Sequence, residues 1–199
     1  MITNIIKNGT NYLKVQLQED SIIGSKNNIL YSQGYIIKDE LSSPVFTQYN
    51  GKGTIAIGAN IPNEILHLKL KPSSSYIFSS DNFAACSVNV RLTYIPNENR
   101  VIVENISDEV QYLWIFAYGN FEKIILDQEE IEIKKGLLLI YHSFMEIIEK
   151  NNFIIVKGPA KFYIQTFEKN ENDKGDNIIS KFLENVKNKG KIRNTLRNI

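Results

Sequence analysis

Two histidines, one cysteine, an acidic cluster and a glycine-rich run are the places where residue type and spacing could support chemistry. His67 lies in Ile65-Leu66-His67-Leu68-Lys69-Leu70, on the strand face opposite the leucines, which predicts a solvent-facing histidine rather than a ligand or base. His142 follows the apolar run Leu137 to Tyr141 at a strand end, and nothing in the spacing connects it to His67. A metal centre would need carboxylates too. Asp127, Glu129, Glu130 and Glu132, however, fall in a turn and on a strand face opposite Ile131 and Ile133, the pattern of a solvated acidic edge. Cys86 sits between Ala85 and Ser87 in an apolar strand with no nearby cation to activate it, and reads as a small core residue. Gly51-Lys52-Gly53-Thr54 lacks the upstream glycine spacing of a phosphate loop and enters a strand where such a loop enters a helix, so it is expected to be a hairpin turn. No catalytic residue, cofactor or metal site is assigned.

The elements that must position these residues are strands. The 199-residue chain is 43% hydrophobic, with 10 Tyr, 10 Phe and many Ile and Val, the composition of an ordinary globular protein rich in strand formers. From Tyr12 to about Phe167, short apolar or alternating runs recur between Gly, Pro, Asn, Asp and Ser, as in Leu13-Val15-Leu17, Val88-Val90-Leu92 and Ile131-Ile133. Little helix is expected there. Trp114, Phe116 and Tyr118 alternate with Leu113, Ile115 and Ala117, so this strand is expected to be buried on both faces, by core or by a partner.

A weak internal repeat organises these strands. The segments beginning at Leu17, Leu70 and Leu126, 53 and 56 residues apart, share one grammar: a strand ending in Leu, a polar turn, a short strand, a turn pair (Asn27-Asn28, Asp81-Asn82, Lys135-Gly136) and an apolar strand. One supersecondary unit used three times, each burying its apolar face against its neighbours, points to an all-β sandwich or prism.

Residues 1–167 are read as this β domain, residues 168–176 as a solvated linker and residues 177–199 as a short amphipathic helix. In that tail Ile178, Ile179, Phe182, Leu183 and Val186 fall at helical spacing after Asp176, a suitable N-cap. Lys181, Lys187, Lys189, Lys191, Arg193 and Arg197 oppose only Glu184, a local net charge of +5. Since the whole chain carries +1, residues 1–176 carry −4. Such a helix could lie on an anionic membrane or a partner, each basic residue contributing about 1 kcal/mol near the surface. The single cysteine excludes an intramolecular disulfide. No secretion signal, presequence or run of roughly 18 apolar residues is present, which leads to the expectation of an intracellular protein without a transmembrane helix.

The strand pattern resembles the altered-inheritance-of-mitochondria family of TRAP-like β proteins. The resemblance rests on Leu13 to Ile22 with Gly34, Gly51 to Ile57 with the Ile65 to Val90 stretch, Leu113 to Gly119 running on to Leu126 and Gly136, and Val156-Lys-Gly-Pro-Ala-Lys-Phe-Tyr-Ile-Gln-Thr166. Two positions depart from the pattern: Ala160 stands where a second glycine is usual, and Asp20 where the first strand pair usually has a glycine turn. The resemblance implies a pseudo-threefold arrangement of β units and supplies no catalytic residues. It also implies a role near the mitochondrial inner membrane or in the matrix for a eukaryotic member, and a cytoplasmic location for a bacterial one. The expected function is therefore a non-enzymatic scaffold or adaptor acting through protein partners or a homo-oligomer, with the tail contacting an anionic membrane surface. The alternative is an RNA-binding β protein, against which stands the net acidic body, because phosphate contact demands a basic path. No small-molecule substrate is inferred.

Overall fold

The computed structural model describes residues 1–7, 11–59 and 63–168. Within them the Ile-, Val- and aromatic-rich runs form sixteen strands, numbered β1 to β16 in chain order, and three single-turn 3-10 segments, with no α-helix among the described residues. Every pairing is antiparallel. A seven-stranded sheet runs in the order β3 (Ile29–Glu40), β4 (Phe46–Gly58), β2 (Tyr12–Ser25), β7 (Phe83–Cys86), β10 (Gln111–Tyr118), β5 (Asn63–Leu70), with β1 (Ile2–Ile6) also pairing β2. A six-stranded sheet runs β11 (Phe121–Leu126), β16 (Ala160–Gln165), β13 (Leu138–His142), β6 (Ser75–Ser79), β9 (Arg100–Asn105), β8 (Val90–Ile95). The third sheet is β12 (Glu130–Lys134), β15 (Phe153–Lys157), β14 (Ile147–Lys150). Residues Met1–Glu168 make one compact unit.

Side-chain alternation stacks these sheets around three cores. In β10, Leu113, Ile115 and Ala117 enter a core shared with Phe78, Val101, Val103 and Leu139 of the six-stranded sheet. Trp114 and Phe116, on its other face, enter a second core built entirely from the seven-stranded sheet. The two-sided burial expected of β10 is thus met by the protein's own core on both sides. The six-stranded sheet behaves alike: Phe78 and Tyr76 serve the first core, while Ile77 packs with Phe162, Ile154 and Val156 in a third core against the three-stranded sheet. On the surface Glu149 of β14 accepts from Arg100 of β9 and from Lys135, at 2.9 and 2.6 Å, clipping the small sheet to its neighbour.

The second core requires the seven-stranded sheet to turn on itself, and one extra residue accomplishes this. Leu13, Val15 and Leu17 of β2 share that core with Ile22, although their sequence parity differs. A bulge between Gln18 and Asp20, with Glu19 at φ 66°, inserts the residue that switches parity and bends the strand. The place where a glycine turn is usual in the family is therefore a bulge within a continuous strand. Asp20 pairs with Gly51, and Gly51 to Thr54 lie in the middle of β4, so the expected hairpin turn there is corrected. These glycines are needed for close approach between strands: a Cβ on Gly51, at φ 123°, would stand 2.3 Å from the Tyr35 carbonyl oxygen, and one on Gly53 2.2 Å from that of Gln33.

The repeat survives in two of its three units. Leu70 closes β5 and is followed by a turn, β6, the 3-10 segment Ser80–Asn82 and β7. Leu126 closes β11 and is followed by β12, the segment Lys135–Leu137 and β13. The unit at Leu17 departs, because its polar stretch is the bulge inside β2. Gln165 connects the other two: its side chain accepts from Asn82 Nδ2 at 3.2 Å and from the Tyr118 backbone N–H at 3.1 Å, and donates to the Gly136 carbonyl at 2.8 Å.

Candidate functional site

Two features stand out once the sheets are assembled: a basic cleft and an unprotected sheet edge. The cleft, of about 850 Å³, opens where β5, the edge of the seven-stranded sheet, meets the six-stranded sheet. Three consecutive β5 residues, His67, Leu68 and Lys69, form one wall, continued by the turn from Lys71 to Ser74. The other wall is the inner face of the six-stranded sheet. Tyr76, Ile140 and Tyr163 point into the first core, and His142 and Lys161, two residues from Ile140 and Tyr163, share their face. Phe144, Met145 and Pro159 make the rim.

The two histidines, which no spacing linked, therefore line one cleft. His142 is the register partner of Tyr76, and its ring lies 5.1 Å from Tyr76 and 5.0 Å from Phe144. The Phe144 N–H donates to His142 Nδ1 at 3.4 Å, which leaves the proton of the neutral ring on Nε2 as a donor. His67 is solvent-facing as expected, but its ring stacks on Trp114, 5.0 Å away and 4° from parallel, and lies 5.4 Å from Tyr112. Lost hydration, and then the charge of Lys69, push the His67 pKa down; lost hydration alone does so for His142. Among the described residues the cleft is lined by no Asp or Glu, and Lys69, Lys71 and Lys161 make no ion pair with any of them. The lysines that converge here carry no sequence signal, because they come from β5, its turn and β16.

The second feature is β3. Sheet edges are normally blunted by charge, proline or shortness. The other terminal strands follow this rule: β5 carries Glu64 and Lys69, β8 Arg91, β11 Glu122 and Lys123, β12 Glu130, Glu132 and Lys134, and β14 Glu149 and Lys150. β1 is uncharged but only five residues long. β3 spans twelve residues, and from Ile29 to Ile37 it has neither a charge nor a proline. Leu30, Tyr31, Tyr35 and Ile37 are exposed along it, Tyr35 by 73%. This uncharged run was legible in the sequence, but only the sheet order reveals that it is an edge.

The remaining candidates fall where their residue types suggested. Cys86 is fully buried in the first core, where burial pushes its thiol pKa up. Asp127, Glu129, Glu130 and Glu132 are exposed, and the Glu129 carboxylate accepts from the Asp127 and Gln128 N–H groups. Among the described residues no group of three or more His, Cys, Asp or Glu could hold a metal, and no helix is long and apolar enough to cross a membrane. Ile178, Ile179, Phe182, Val186 and the six basic tail residues from Lys181 to Arg197 lie outside the described residues, as does most of the expected linker.

Bulged and glycine-cornered sheets stacked around three cores define a layered, all-antiparallel β protein. Its particular family follows from sequence: the chain belongs to the AIM24 family, described as mitochondrial biogenesis AIM24, whose model matches residues 5–167. That match covers the β domain expected from the strand pattern and links the chain to mitochondrial biogenesis. Among solved structures, the chain is similar to a crystal structure of a Streptococcus pyogenes protein, with a TM-score of 0.69 and 16% identity over 94% of this chain and 98% of that one, a likeness of fold alone. No curated protein matches the chain.

Proposed function

We propose that the chain is a non-enzymatic scaffold that self-associates through β3, within the mitochondrial-biogenesis setting of its family. The single observation that carries this reading is the twelve-residue edge strand whose first nine residues, Ile29 to Ile37, hold neither charge nor proline and include four exposed large apolar side chains. An isologous antiparallel pairing of two β3 strands satisfies the outward backbone groups of both edges. It also places the charged end of each strand, Lys38 to Glu40, at opposite ends of the pair, where the carboxylates do not face each other. A second copy is thus the occupant this edge fits best.

Light scattering on the full chain over a range of concentrations tests the reading. Self-association is expected, and changing both Tyr35 and Ile37 to Lys is expected to raise the dissociation constant by roughly tenfold or more, since four charges then have to be desolvated along the apolar part of the pair. The thermal midpoint of the protomer should barely change, because both side chains point to solvent. A chain that stays monomeric at every concentration would overturn the proposal.

The tail supports a membrane arm for the same scaffold through its opposed apolar and basic residues. Co-sedimentation with cardiolipin-containing vesicles is expected for the full chain, weakening with salt and lost on truncation after Lys174, while neutral vesicles leave the protein in solution. Equal sedimentation of full-length and truncated chains would remove this arm and leave the β3 contact standing.

A further inference from the structure

The geometry points to the cleft between β5 and the six-stranded sheet as a binding site for a small amphiphilic anion, one anionic head on an apolar body. Its charge runs against the rest of the domain. Residues 1–176 carry a net −4, yet this cleft gathers Lys69, Lys71 and Lys161 and is lined by no carboxylate of the described residues. In a concave, partly dry site such a cluster concentrates anions and repels cations. Hydrogen-bond donors accompany the charge: His142 presents its Nε2 proton, and Ser73, Tyr76 and Tyr163 bring hydroxyls to the lining.

The apolar half of the ligand is called for by the floor and rim. Ile140 is fully buried beneath the cleft, with Leu68 and Met145 beside it. Phe144 stands 83% exposed at the mouth with one ring face on His142. A volume of about 850 Å³ lies within the range that small-molecule sites occupy and far exceeds what a bare inorganic ion needs. A metal ion is the wrong occupant, because among the described lining residues His67 and His142 are the only His, Cys, Asp or Glu, and three ammonium groups oppose it.

Titration calorimetry of the full chain with hexyl phosphate, inorganic phosphate and hexyltrimethylammonium tests the site. Hexyl phosphate is expected to bind at least about tenfold more tightly than either of the others, and replacing Lys69 and Lys161 together by Gln should weaken it by roughly tenfold or more. The thermal midpoint of that variant should hold, since both side chains are exposed. Sedimentation with phosphatidylcholine vesicles, with and without phosphatidic acid, then distinguishes the source of the anion. Vesicle binding lost in the double variant assigns a lipid headgroup, whereas hexyl phosphate binding without it assigns a free amphiphile. Equal affinity for all three probes, no affinity for hexyl phosphate, or hexyl phosphate binding that the double variant leaves unchanged would overturn the site. The β3 contact, read by light scattering, stands or falls independently.

Discussion

Gly51→Ala is expected to lower stability by about 3 to 5 kcal/mol, the sum of backbone strain and a clash that no side chain can relieve. At φ 123° the new Cβ would stand 2.3 Å from the Tyr35 carbonyl oxygen and 3.7 Å from Ile36 Cα, both backbone atoms of β3. Relief requires β3 to move away from β4 at the corner that closes the second core. That core holds Leu13, Val15, Ile55, Ile57, Trp114 and Phe116, so the loss extends beyond one turn. Urea unfolding reads it: with a slope of about 2 kcal/mol per M, the midpoint should fall by roughly 2 M. Gly24→Ala is the control. A Cβ there meets the side-chain ends of Ile57 and Tyr49 at 3.0 and 3.1 Å, which can shift, and a cost of about 1 kcal/mol is expected. Equal losses from the two substitutions would refute the account of the corner.

Gln165→Leu should cost about 3 kcal/mol although it adds apolar volume at a buried position. Three hydrogen bonds disappear together: from Asn82 Nδ2, from the Tyr118 N–H and to the Gly136 carbonyl. Asn82 keeps its bond to the Phe116 carbonyl at 2.7 Å, so the largest part of the loss falls on the Gly136 carbonyl and the end of β10. Gln165→Glu gives the test its sign. A carboxylate facing the Gly136 carbonyl is disfavoured, so burial raises its folded-state pKa above the roughly 4.3 of the unfolded chain. Destabilisation is therefore largest at neutral pH and shrinks as pH falls through the raised folded-state value, where the protonated acid again donates. Thermal midpoints of wild type and variant at several pH values measure this, and a deficit independent of pH would show that packing, not the donor, is what Gln165 provides.

Much of the fold was legible because strand alternation is a local property. The two-sided apolar pattern of Leu113 to Tyr118 predicted a strand buried on both faces, by core or by a partner, and β10 is buried on both by core. The units at Leu70 and Leu126 follow the same strand, turn and strand order because each polar turn truly ends a strand. The unit at Leu17 and the glycines at 51 and 53 misled for a common reason. Polar residues and glycine look alike in sequence whether they make a turn or a bend within a strand, and only the neighbouring strands β3 and β4 show which applies. The basic cleft was invisible because its lysines and histidines are brought together by pairings such as His142 with Tyr76 and by the meeting of two sheets.

Residue composition and period by themselves determined that the described chain is all-β and that Cys86 is a core residue. These properties depend on side-chain type and on spacing within a few residues, and both are written along the chain. Tertiary structure alone decided which strand is an edge, that β2 bends at Glu19, that Gln165 joins two repeat units, and that His67 and His142 share a cleft with three lysines. Each of these is a relation between residues far apart in sequence, created when burial of three apolar faces forces the sheets to stack.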